Sequence, residues 1–148
     1  ETVRKRAQRL NDLVDLEDGL NADIAARVHA AEEAIYADDR NPQVNWDGET
    51  LVQLLVDAGF ERARCQLQTV SSRRRITERQ LEHWFSPGGE KLKTFAWYLR
   101  HQLDEQEVLE TRKLFEHTLF NKDVDWTTTS AIITACVQDP PPDRPSSG

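Results

Sequence analysis

The chain has 148 residues, 38% hydrophobic and 30% charged, with a formal net charge of −7 and a mean hydropathy of −0.69. That length holds one domain with a real core and is too short for two, and the apolar and aromatic content excludes a disordered chain. A pI near 5.1 argues against a general nucleic-acid binder, whose grip on phosphate is cationic. From Val3 to Leu16 the residues Val3, Ala7, Leu10, Leu13, Val14 and Leu16 recur at helical spacing, which predicts a first helix ending before Gly19. Asn21 is an N-cap candidate for a second helix to Tyr36, with Ile24, Val28, Ala31 and Ile35 on its buried face. Turn chemistry follows at Asp38 to Pro42, and Gln43 to Trp46 reads as extended.

Asp47 is the expected N-cap of a third helix with a buried stripe of Leu51, Leu54, Leu55 and Ala58, closed by Gly59 at its C′ position. From Arg62 to Thr69 the pattern alternates, with Ala63, Cys65, Leu67 and Thr69 on one face, which predicts a half-buried strand. Thr77 to Gln80 matches a capping box, with Leu81, Trp84 and Phe85 on one face of the helix that follows. Pro87-Gly88-Gly89 breaks it. Lys91 to His101 reads as a helix with Leu92, Phe95, Ala96 and Leu99 inward, and Asp104 caps another that runs to Asn121. Val124 to Val137 is β-prone, and its second half, Ile132 to Val137, is apolar on both faces, as in a strand buried on both sides of a sheet. Residues 139–148 carry four of the six prolines and read as a flexible tail.

The fold class is therefore helix-rich α/β, with two strands about 55 residues apart. Two strands make a marginal sheet, and a central-type strand needs cover at its faces and edges. Together with the absence of methionine and the opening Glu1-Thr2-Val3, this gives the expectation of a piece of a larger domain. No apolar run approaches the roughly 18 residues of a membrane span and no signal peptide is visible. The expectation is a cytoplasmic protein without a membrane partner, whose Cys65 and Cys136 are buried core thiols, free of any disulfide framework.

Candidate chemistry is sparse. The six glycines make neither GxGxxG nor GxxxxGK[ST], so the chain presents neither nucleotide cradle. Arg73-Arg74-Arg75, placed in a loop and flanked by Arg62, Arg64 and Arg79, is the candidate phosphate or nucleic-acid contact; its alternative is a solvated loop paired with surface carboxylates. Arg4-Lys5-Arg6 with Arg9 raises the same question. Glu32-Glu33 and Asp38-Asp39 read as helix-surface and turn charges, since adjacent helical residues diverge by about 100°. The histidines lie far apart, without metal-ligand spacing. Trp84 and Trp126 fall on inward faces. Trp97 lies off its helix's apolar stripe and is the candidate contact to another domain or subunit, which leaves a homo-oligomer open.

Two patterns carry a family likeness. The helix ending Leu55-Val56-Asp57-Ala58-Gly59-Phe60, followed by a strand, resembles the step into the sixth strand of class I S-adenosylmethionine-dependent methyltransferases. Val124 to Val137 would then be the antiparallel seventh strand, and residues 71–121 a helical insertion between the two. Gln8-Arg9-Leu10, Ala31 to Tyr36, Asn41 to Trp46, Arg75-Ile76-Thr77 with Trp84-Phe85-Ser86, and Val124-Asp125-Trp126 with Thr128-Thr129 are together similar to one larger family. It is the carboxy-terminal, methyltransferase-like extension of bacterial fusion proteins built on a replication-associated recombination AAA+ ATPase of the clamp-loader clade. The likeness spans about residues 8–137, within a region taken as 1–138. It implies upstream domains of the same polypeptide as partners, ATP and S-adenosylmethionine as cofactors of the parent rather than of this chain, and DNA as a partner of the parent. It carries no catalytic, cofactor or metal residue onto the chain: an NPPY signature is absent, Asn41-Pro42 being followed by Gln43-Val44. The first expectation is a non-catalytic structural or interaction module of that ATPase. The others are the substrate-recognition half of a methyltransferase, capped by the 71–121 insertion, and a nucleic-acid contact module using Arg73, Arg74 and Arg75.

Overall fold

The structure, a computed structural model, describes residues 3–137. The expected tail at 139–148 lies outside the described residues. Among the described residues the fold is mixed α/β: six helices and one two-stranded antiparallel sheet. The helices are α1 (Leu16–Gly19), α2 (Ala22–Tyr36), α3 (Gly48–Asp57), α4 (Glu78–Phe85), α5 (Phe95–Leu99) and α6 (Glu105–Leu119), and the strands are β1 (Glu61–Arg75) and β2 (Asp123–Cys136). Among the described residues no helix is long and apolar enough to cross a membrane.

Every helix but α3 belongs to one helical body. Three of its helix starts, those of α2, α4 and α6, are where side-chain caps predict them: Asn21 accepts from the Ile24 amide, and Thr77 with Gln80 and Asp104 with Glu107 form reciprocal capping boxes. The body closes around Phe85, Phe95 and Phe115, whose ring centroids lie 5.4–5.7 Å apart in edge-to-face and tilted pairs. Leu99, Leu119 and Ile76 are buried around them.

The first helix differs from expectation. Residues 3–20 form two short 3-10 turns, at Arg4–Arg6 and Asn11–Leu13, before the one-turn α1. Val3, Leu10, Val14 and Leu16 are still buried. The backbone takes a different path because its amides are spent on tertiary partners: Val3 donates to the Thr129 carbonyl at 2.9 Å, and Leu10 and Asn11 donate to Glu32. The helix expected from Lys91 is also shorter. Thr94 accepts from the Trp97 amide and donates to the Ser86 carbonyl, so α5 starts there and Leu92 is exposed rather than inward.

β1 and β2 form a long ribbon rooted in the body at Val124 and Trp126. The register sets Cys65 opposite Ile133, Thr69 opposite Thr129 and Arg75 opposite Asp123. β1 is longer than the predicted 62–69 and absorbs the arginine run, so the segment between the strands is 76–122 rather than 71–121. Side chains alternate across the ribbon, and α3 covers only the face that carries Cys65, Leu67, Ala131 and Ile133.

Expected burials fail here for one reason, the lack of a second layer among the described residues: on β1 Leu67 is 41% exposed and Thr69 is exposed. Ile132 is 47% exposed and Val137 78%, so the end of β2 is not buried on both faces. In α3, Leu51 and Leu55 are half-buried beside Ile133 and Ala135, whereas Leu54 is 58% exposed and Ala58 is exposed. The cysteines follow suit: Cys65 is half-buried under α3, and Cys136 is exposed, so neither is a core thiol.

Candidate functional site

The arginine run occupies the root of the ribbon, where strand alternation splits it between two faces. Arg75 makes a fork-like pair with Asp123, Nε and Nη2 donating at 2.8 and 3.0 Å. That guanidinium holds the Asp123 carboxyl below the usual range. Arg73, on the same face, lies 3.7 Å from Asp125. Arg74 turns to the opposite face and sits 4.7 Å above the Trp126 indole, which is itself stacked on Trp84 at 6.3 Å and 16°. The three candidate phosphate contacts thus do not converge. Two already face carboxylates across the strand pair, and the third is laid along an aromatic stack.

Trp97 is half-buried on α5, at an open groove of about 500 Å³ between the end of α2 and α5. Lys93 lies 5.0 Å over its ring, His101 packs at 4.1 Å, and Tyr98 meets it edge-on at 4.9 Å. Beneath them Asp38 accepts from Lys93 Nζ at 2.7 Å and from the Tyr98 hydroxyl at 3.3 Å. Lys93 draws the Asp38 carboxyl below the ordinary range, and burial with the nearby Asp38 charge raises the Tyr98 phenol. Asp38 is thus the tie between the α2–α3 connection and α5, a role its turn position did not announce because its partners lie 55 and 60 residues away.

Glu32 is the polar group that sequence reasoning misplaced. It is not a surface charge: it is 2% exposed and its two carboxylate oxygens accept from the Leu10 and Asn11 amides. Burial pushes its pKa up to about 7, against the lowering pull of the two amides and of Arg9. Arg9 stacks 3.4 Å over Tyr36 and pairs with Glu33 at 3.3 Å. A signal existed in the sequence: residue 32 is four past Val28, on the same face as Ile24 and Ala31. Arg27 makes the other long-range tie, gripping Glu107 on α6 at 2.6 and 2.8 Å and Asp23 at 2.7 and 3.0 Å.

Other candidate chemistry is dispersed. Among the described residues no group of three or more His, Cys, Asp or Glu converges as metal ligands would. Gly48, the first residue of α3, packs against the Cys65 side chain, which leaves no room for a side chain at this position. What remains open is the ribbon. Comparison with known proteins returned nothing: no family model, no curated protein and no solved structure matches this chain.

Proposed function

We propose that this chain is a non-catalytic interaction module whose ribbon joins it to a larger assembly. The observation that carries this reading is the form of the ribbon among the described residues: strands of 15 and 14 residues in a two-stranded sheet, with helix cover on one face of its far part only. Among the described residues no further strand pairs with the outer edge of β1, and Val70 and Ile132 stay exposed. Proteins normally cover or blunt such features. The resemblance described above supplies the assembly, a replication-associated ATPase with a methyltransferase-like region. ATP would be handled upstream and DNA would be met through the parent. α3, the Ala58-Gly59-Phe60 turn, β1 and an antiparallel β2 follow the order implied for the last two strands of that region's sheet, and the ribbon is taken as that pair.

Amide hydrogen exchange tests the reading, run on this chain alone and on the complete natural polypeptide. Slower exchange along β1 and β2 in the longer protein is expected, and identical exchange in both would remove the module reading. Calorimetry with S-adenosylmethionine is the second arm. Micromolar binding to this chain alone would favour the substrate-recognition half of a methyltransferase instead.

A further inference from the structure

The two edges of the ribbon are not equivalent. The Thr129 carbonyl accepts from Val3 and the Thr127 amide donates to Gln8 at 3.1 Å, both outside the strand ladder. Odd-numbered residues of β2 therefore turn their backbone groups away from β1. In an antiparallel register their partners Leu67, Thr69, Ser71 and Arg73 must do the same on the far side of β1. The amino-terminal segment thus meets β2's outer edge. Among the described residues no backbone hydrogen bond from another element reaches β1's edge at these four positions.

That open edge is cationic in an acidic chain. β1 carries Arg62 and Arg64 at one end and Arg73, Arg74 and Arg75 at the other, against a single acid, Glu61. Asp125 and Asp123 answer Arg73 and Arg75, whereas Arg62, Arg64 and Arg74 have no carboxylate within ion-pair distance among the described residues. Between the two ends lies a neutral stretch, Gln66 to Ser72, with Leu67 and Val70 exposed.

Three occupants can be weighed. A second copy pairing antiparallel along the full length of β1 would set Arg62 or Arg64 opposite Arg74 of that copy, a like-charge placement that destabilises a sheet. A nucleic acid would find phosphates facing Asp123 and Asp125, and its phosphate backbone, which has acceptors but no donors, could satisfy only the N–H groups of an edge that alternates N–H with C=O. An extended peptide satisfies both.

We propose that β1's outer edge receives an extended acidic segment of another polypeptide, which adds a third strand with carboxylates near Arg64 and Arg74 and apolar side chains between them. Those arginines are ten residues apart, so the segment spans about 34 Å. Main-chain bonds would supply the affinity, and the flanking charges the choice of partner. This deepens the module reading and rests on it.

The probe is a twelve-residue peptide with glutamates at both ends and valines, spaced by threonines, between them, acetylated and amidated, titrated into the chain. Amide exchange and NMR shifts are followed along β1. Expected are protection of the Leu67, Thr69, Ser71 and Arg73 amides, about tenfold weaker binding by the counterpart with lysine in place of glutamate, and a similar loss in Arg64→Glu. N-methylation of alternate peptide amides should abolish binding. Arg74→Glu repeats the charge test where it folds; Arg64, exposed and without an ion-pair partner, carries it otherwise. Equal binding of the lysine peptide, no binding by either peptide, tighter binding of oligothymidylate, or a dimer that protects β1 would each overturn the proposal. If neither peptide binds while the ribbon is protected in the complete polypeptide, the acidic-strand inference falls and the module reading stands.

Discussion

Replacing Glu32 by glutamine removes a titration that burial has moved into the neutral range. The carboxyl is pushed from an ordinary 4.5 to about 7. Between those values the folded chain keeps a proton that the unfolded chain has released. Stability linked to this group is therefore complete below pH 4.5, falls as pH rises toward 7, and then levels off. At 1.36 kcal/mol per pH unit the whole interval corresponds to about 3 kcal/mol, and the part between pH 5 and pH 8 to about 2–3 kcal/mol. Glutamine keeps the shape but has one acceptor oxygen for the two amides of Leu10 and Asn11, so the variant starts weaker at pH 5. Its deficit against the natural chain should then shrink by about 2–3 kcal/mol at pH 8, because only the natural chain pays to bury a charge. Urea unfolding of both proteins at the two pH values, followed by tryptophan fluorescence, reads the difference directly. A deficit that is the same at both pH values would refute the reasoning, and one that grows with pH would reverse it. A carboxyl-carbon NMR titration of Glu32 provides an independent midpoint, expected near 7.

Three further outcomes are expected. Phe115→Ala, at the centre of the aromatic trio and fully buried, should cost about 3–5 kcal/mol in chemical denaturation. Glu107→Gln releases Arg27. Since that guanidinium holds Glu107 down at about 2, its contribution is full above pH 4.5 and is lost as pH falls toward 2. The melting temperature of the variant should be lower at neutral pH and should fall less steeply over that acid range. Gly48→Ala drives a methyl group into the Cys65 side chain, so α3 should lift from the ribbon. Its amides should exchange faster while the unfolding midpoint of the helical body stays within experimental error; a parallel drop of both would mean that α3 and the body unfold together.

Sequence alone determined the local events. Asn21, Asp47, Thr77 and Asp104 cap helices as read, because a cap is a contact over three residues and its chemistry is written in that window. Gly59 ends α3 with a φ of 88°, a conformation that glycine adopts without penalty. Alternation likewise placed Ala63, Cys65, Leu67 and Thr69 on one face, and the antiparallel partner was legible as the second β-prone run. Tertiary structure alone decided how much of each face would be covered. The apolar run at Ile132 to Val137 has the pattern of a doubly buried strand, yet burial needs a second layer, and the described residues supply only α3. The arginine run looked like a loop because charge ordinarily marks solvent, and the backbone ladder with residues 123–125, about fifty residues away, makes it strand. Glu32 looked like surface for the same reason. Its partners are two backbone amides, and backbone groups leave no trace in a residue pattern until the chain has folded back upon itself.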